Sequence, residues 1–369
     1  MKKTLSVLIA LCICLALCSC GASNDNAPDE TKQTEQTTAS AVSNTQQTEQ
    51  TVASTVKEPE ETPEIVEPSI PEQEYDDLLF ELNDAGTGYS VSASSKNVSG
   101  EIVIPDIYKK LPVTGISDNG FSQCNYLTGI TIPKSVKVVG NHAFSKCGKL
   151  ENVVLTNEVR VIGNNAFEWC DQLKSIHLPS GIESIGNNAF FGCRRIDNVV
   201  IPKSVLSIGN NAFSGCSGLT NISFDNCPAS IGSSAFSGCI ELRYITIPDQ
   251  VRSIGGSAFS WCSNLLSVRI GNGVVAIEDS TFEQCPNLYS VTLGKSVSRI
   301  GKRAFYNCKM LSYVSFTNSV KSIDQNAFGF CENLISIDYY GTRQDWRETE
   351  KISKWDNGAN ITVIKYFDN

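Results

Sequence analysis

The chain has 369 residues, 30 basic and 39 acidic, for a formal net charge of −9, with 15 cysteines and two histidines. An acidic balance with no basic stripe excludes nucleic acid as a partner, and no apolar run after the first 20 residues is long enough to cross a bilayer. So few histidines leave little room for chemistry built on imidazole.

In chain order, Lys2 and Lys3 give a basic start and Leu5 to Leu17 is a short apolar run, the pattern of an export signal rather than a membrane span. The run ends Leu17-Cys18-Ser19-Cys20-Gly21. This resembles a bacterial lipoprotein signal, in which an apolar residue and two small ones precede the cysteine that is diacylated. The resemblance implies a signal over 1–19 and lipidation at Cys20, although Cys18 at the second position is unusual. The alternative is an ordinary secretory signal; both readings export the protein. Residues 20–74 hold no aromatic residue and are rich in Thr, Gln, Glu, Ser and Pro; from Gly21 on they carry twelve acids and two lysines. Such a segment cannot bury enough apolar surface to fold. It reads as a disordered tether, about 40 Å end to end on average and roughly 180 Å at full stretch. From Tyr75 onward there are 26 basic and 27 acidic residues, so the remainder is neutral.

Residues 75–115 read as an N-terminal cap with strands at Phe80–Leu82, Tyr89–Ser92 and Ile102–Pro105, then an insertion at Asp106–Pro112. Over 116–338 one unit repeats ten times. Cysteines stand at 124, 147, 170, 193, 216, 239, 262, 285, 308 and 331, each 23 residues after the last, with a phenylalanine three residues before each. The surrounding consensus is Ile-Gly-x-x-Ala-Phe-x-x-Cys-x-x-Leu-x-x-Ile-x-Ile-Pro-x-x-Val. A fixed period of this length marks a solenoid, in which single coils cannot bury their apolar side and stacked coils can. Ile-x-Ile has the alternation of a half-buried strand, proline stops it, and Val-x-x-Ile-Gly reads as a second short strand. The glycine suits a turn of permissive backbone angles. Apolar spacing in Ala-Phe-x-x-Cys-x-x-Leu predicts a short helical turn. The expected fold is therefore a β-rich α/β solenoid of 23-residue coils with short strands and short helical turns. Residues 339–369 read as a C-terminal cap, with a helix around Gln344–Ile352, a last strand over Ile361–Phe367, and Trp346 and Trp355 plugging the open core.

By these repeats, and by the ending Tyr339-Tyr340-Gly341-Thr342 with Trp346, residues 75–369 resemble the BspA-like leucine-rich repeat proteins of bacteria. The chain departs from the commoner leucine-rich consensus, lacking its regular Asn position. The resemblance implies a right-handed curved stack displayed at the cell surface and, more loosely, adhesion to host proteins or other cells. It implies no catalytic residue and no cofactor.

Chemistry finds little support among the residues themselves. The cysteine column reads as a ladder of buried thiols, since stacked Cβ atoms are as far apart as the coils and a disulfide needs about 3.8 Å; disulfides and a metal are the lesser alternatives. Cys227 lies off the column and is expected to be reachable. His142 takes a turn position and His177 an outward strand position, both as solvated side chains, so no enzyme is expected. Outward strand positions are mostly small and polar, and the smooth repeats offer no obvious pocket. The exception is Arg243, Tyr244, Leu266, Arg269, Tyr289 and Tyr313, in four adjacent coils, of residue types that dominate interface energetics. Trp169 and Trp261 are further candidates on another side. The alternative is that these residues cover strand edges or pack on one another. The expected function is a lipid-anchored cell-surface binding protein, with a protein or glycan ligand and a lipid anchor as its contact with the membrane. Glycan or solute capture and a structural display scaffold are the alternatives.

Overall fold

The computed structural model describes residues 75–227 and 230–367, and the proposed signal, Cys20 and the tether lie outside them. The described residues form a β-solenoid of about twelve coils. Each coil has three sides, and each side is bonded to its neighbours by a different means.

The first side carries the Ile-x-Ile strands, paired in parallel 23 residues apart within the repeats and 27 or 28 apart at the two ends. Ser99–Val103, Tyr126–Thr131 and Asn152–Val154 make one sheet, Asn198–Ile201 and Asn221–Phe224 a second. A third runs unbroken through Tyr244–Ile247, Ser267–Ile270, Ser290–Thr292, Tyr313–Thr317, Ser336–Tyr340 and Val363–Tyr366. Residues 175–178 carry the repeat's strand sequence yet form no strand. The second side is the Val-x-x-Ile strand, two residues long in most coils, paired in register from Val138–Val139 to Ser230–Ile231 and again from Ala276–Ile277 to Glu350–Lys351. The isolated bridge Ile231–Ile254 extends the first run by one coil, and among the described residues no strand pairing links Ile254 to Ala276–Ile277.

The third side differs from expectation. Ala-Phe-x-x-Cys is not helical: Cys124 N–H donates to Phe121 O and Leu127 N–H to Cys124 O, as successive turns. Two residues per coil are left-handed, such as Asn165 (φ 56°) and Trp169 (φ 56°). They point alternate donors outward along the stack, so that Asn119, Phe121 and Gln123 N–H reach the carbonyls of Asn141, Ala143 and Ser145 one coil on. A helical turn would consume those donors within its own coil.

The glycine after the second strand also has another cause than the one expected. Its φ is not positive; instead a Cβ at Gly186 or Gly209 would come within 2.5–2.6 Å of the preceding coil's backbone. Beside it runs a ladder that the period alone did not reveal. Asp118, Asn141, Asn164, Asn187 and Asn210 each offer Oδ1 to the backbone N–H of the residue 23 positions on, ending at Ser233.

The core is built of columns. Ten phenylalanines are fully buried and stacked face to face, with centroids 4.9–5.5 Å apart. Each large buried apolar side chain contributes about 1.5–3 kcal/mol, so these columns carry much of the fold. All eleven cysteines among the described residues are buried thiols. From Cys147 onward each ladder Sγ donates to the carbonyl of the phenylalanine 26 residues earlier, at 2.9–3.5 Å. Burial pushes the thiols of Cys147, Cys262 and Cys331 up to about 12, and those of Cys170, Cys193, Cys216, Cys239, Cys285 and Cys308 in the same direction. Cys227, expected to be reachable, is fully buried. Its coil has Phe224-Asp225-Asn226 where neighbours have Ile-Pro, and Pro228 stands in the Val column; Cys227, one place earlier, joins the core instead.

The ends are closed by non-repeating pieces. Leu78–Leu82 pairs antiparallel with Tyr89–Ala93, and the insertion forms a small antiparallel pair, Ile107–Tyr108 on Leu111–Ile116. At the far end the helix is shorter than expected, Arg343–Glu348, because Thr342 and Asp345 close a capping box at its start and Glu350–Lys351 returns to strand. Trp346 and Trp355 do cover the core: both are partly buried, Trp346 against Tyr339 (5.2 Å) and Trp355 against Phe328 (6.0 Å).

Candidate ligand-binding face

The residues with interface chemistry lie on the unbroken six-stranded sheet. In its strands side chains alternate, so Ile245, Ile247, Val268 and Ile270 point into the core while Tyr244, Thr246 and Arg269 point out. Tyr244 is 62% exposed, Tyr289 57% and Tyr313 38%. Arg243 and Tyr289 stand just before their strands, two coils apart in one column, and Leu266 lies half-buried between them. All six expected residues therefore share one face, although the register keeps Tyr244 and Tyr313 three coils apart, with Ser267 and Ser290 between them.

Contrary to the sequence reading, this face has a groove, of about 1110 Å³. Its origin is the proline column. Pro248 is followed one coil later by Gly271, then by Gly294, Thr317 and Tyr340. A Cβ at Gly271 would come within 2.5 Å of Pro248 C, and one at Gly294 within 2.1 Å of Gly271 O. The coils therefore close up with bare backbone as the floor, while Pro248 and Tyr340 rise at the two ends. Arg269 and Tyr313 line the groove, together with Lys295 and Tyr340, which the sequence reading did not single out; Arg243, Tyr244, Leu266 and Tyr289 extend the face beyond it.

The side chains are held in place. Burial raises the pKa of Tyr313, and the nearby Asp338 charge acts in the same direction. Asp338 is in turn 3.7 Å from Lys365 Nζ. Lys295 N–H donates to Asn272 Oδ1 at 2.9 Å, and Asn272 N–H to Asp249 Oδ1 at 2.8 Å.

Elsewhere the candidates are self-satisfied. Trp169 packs against Phe191 at 5.1 Å, lies over Gly192 and takes Arg194 on its ring. Trp261 is 57% exposed in a left-handed turn. His142 occupies a left-handed turn (φ 53°) and His177 lies in the strandless coil. The structure does not bring the two histidines together in one coil.

A stack of 23-residue coils, each with a Leu column and a strand on one open face, is a leucine-rich-repeat solenoid. The BspA type leucine rich repeat region matches residues 100–220 and 207–335, with six copies, and the chain belongs to that family. Proteins of leucine-rich repeats are typically binding scaffolds rather than enzymes. Among solved structures, the chain is similar to a leucine-rich repeat protein from Bacteroides ovatus (26% identity, 80% of this chain and 90% of that one, TM-score 0.46). It is also similar to a leucine rich cell surface protein from Faecalibacterium prausnitzii (23%, 75% and 97%, TM-score 0.40) and to the pneumococcal vaccine antigen PcpA (16%, 80% and 87%, TM-score 0.45). No curated protein matches the chain.

Proposed function

We propose that the protein is a surface adhesin, exported and lipidated at Cys20, with residues 20–74 as the tether that lifts the solenoid from the membrane. Its long-strand face holds a protein or glycan ligand on another cell or in the surrounding matrix. The carrying observation is the exposed Arg and Tyr side chains on the six-stranded sheet, the longest on the long-strand side, since Tyr and Arg are the types that anchor interfaces. Membership of a family of surface binding proteins supports the same reading, and no helix among the described residues is long and apolar enough to cross a membrane.

The test is adherence of cells displaying the full chain to immobilised matrix proteins and glycans. Tyr244→Ala with Arg269→Ala is expected to abolish adherence while leaving surface display intact. Adherence unchanged by the pair removes this face from the function. Display unchanged by Cys20→Ala removes the lipid anchor.

A further inference from the structure

The cations on this face are arranged in a line. Arg243, Arg269 and Lys295 are each 26 residues apart, one coil plus three positions. Register places Arg269 beside Thr246 and Thr292, and Lys295 three residues beyond Thr292. Successive cations therefore step one coil along the stack and three residues across the sheet, about 11 Å at ordinary strand spacings. Tyr289, Tyr313 and Tyr340 step in the same sense, since Tyr313 pairs with Ser290 and Tyr340 with Thr317. Tyr289 lies two coils from Arg243 in the same column, so the two diagonals run side by side about 10 Å apart. Between them lie Leu266, Thr292 and the bare backbone of Gly294.

Arg243, Arg269 and Lys295 are exposed and form no ion pair among the described residues. The acids nearby lie off the diagonal and are held by other partners: Asp249, which also lines the groove, accepts from Asn272, Glu241 from Asn264, and Asp338 is 3.7 Å from Lys365 Nζ, each keeping its charge. Earlier coils handle the same column differently, with Lys174 on Glu151 at 2.6 Å. The C-terminal diagonal is thus a stretch of this face where three exposed cations stand outside any ion pair among the described residues.

Resting on the reading that this face binds, we propose that it takes an acidic polysaccharide, laid obliquely between the two diagonals. Its carboxylate or sulfate groups face Arg243, Arg269 and Lys295, and its sugar rings lie on Tyr289, Tyr313 and Tyr340. A peptide strand fits less well. Peptides add to a sheet through an open edge, and here the strands that bear Arg269 and Tyr313 are paired along both edges. What the face offers is ring faces, small hydroxyls and cations, which suit a hydroxyl-rich anionic chain.

The test titrates the full chain with size-defined heparin oligosaccharides, neutral dextran oligosaccharides and poly-glutamate. Substitutions are borrowed from neighbouring coils so that the stack is kept: Arg243→Thr, Arg269→Thr and Lys295→Asn in one variant, Tyr289→Ser and Tyr313→Ser in another. Circular dichroism checks that both fold as the parent does. Heparin binding that weakens with salt and falls roughly a hundredfold in the cation variant is expected, exposed charge contacts being modest singly and additive over three. The tyrosine variant should lose about tenfold. Heparin binding equal in parent and cation variant overturns the site, as does no binding to heparin. Poly-glutamate binding as tight as heparin, unaffected by the tyrosine changes, overturns the glycan assignment. If adherence to matrix proteins still depends on Tyr244 and Arg269 while no acidic glycan binds, the adhesin reading stands and this inference alone fails.

Discussion

Alkali should unfold this protein through its thiols. An ordinary thiol ionises at 9.0, whereas Cys147, Cys262 and Cys331 are held at about 12 by burial. The folded pKa is raised, so no stability is lost below the unfolded value, and stability falls as pH rises from about 9 toward 12 because only the unfolded chain releases the protons. By about pH 10 each such thiol costs about 1.4 kcal/mol. Six more ladder thiols are shifted in the same direction. Nine at about this cost give on the order of 12 kcal/mol, comparable to the whole stability of a typical domain, ~5–15 kcal/mol. Thiolate absorbance and far-UV circular dichroism, followed together under reductant, should change in one transition beginning above about pH 9. Replacing Cys193, Cys216 and Cys239 by alanine should move that transition to higher pH, even though the cavities lower stability at neutral pH. Thiolate absorbance that rises at the ordinary thiol pKa while the dichroism holds would refute the reasoning, because it would mean the ladder ionises in place.

Two further outcomes follow from backbone packing. Gly294→Ala puts a Cβ within 2.1 Å of the Gly271 carbonyl and should cost about 1–3 kcal/mol, whereas Gly215→Ala, with nothing nearer than 3.7 Å, bears only its positive φ of 73°, about 1–2 kcal/mol. Equal melting temperatures for a crowded groove floor at Gly294 and a freely placed Gly215 plus no change from the parent would contradict the close approach. In hydrogen exchange, amides of Asn221–Phe224 and Tyr244–Ile247 that face one another should exchange at least about tenfold faster than those within Ser267–Ile270 and Ser290–Thr292, since the first two strands belong to different sheets; uniform protection across them would refute it.

The period made the columns legible, because Phe, Cys, Leu and Ile recur for one reason only, burial in a stack. Turn chemistry was legible only in part. Apolar residues three apart fit a helical turn and a pair of left-handed turns equally well, and the deciding feature, donors aimed at the next coil, is a relation between coils rather than within one. The Asn141–Asn210 ladder was hidden for the same reason, since single asparagines in turns are explained by local chemistry. Cys227 was misplaced because its column was counted strictly, while its coil shifts by one residue at Asp225-Asn226. The six face residues stand out in the sequence by their types alone. Lys295 and Tyr340 were missed, although a proline column turning to Gly271 and Gly294 was a visible sign that the surface there is indented.

One interruption of the stack adjoins the exposed Arg and Tyr side chains. Between the coil of Asn221–Ile231 and that of Tyr244–Ile254, the long-strand sheet stops and the short-strand side thins to a single bridge. The Asn ladder also ends there, at Ser233, and Gly256 stands at the next position of that column. The core columns continue across, with Phe236 still stacked on Phe213 and Phe259 at 5.3 Å. The apolar core and the turn side, where Ser234, Phe236 and Gly238 N–H still donate to Gly256, Ala258 and Ser260, thus hold the coils together at this point. Every cation of the diagonal, and every tyrosine beside it, lies on the C-terminal side of that seam, on six strands paired without a break. A binding site needs side chains held in fixed relation by a rigid support, and in this chain the longest ladder of the long-strand side carries the exposed Arg and Tyr residues. One of the two breaks in the long-strand side therefore coincides with the start of the exposed Arg and Tyr residues, at Arg243 and Tyr244.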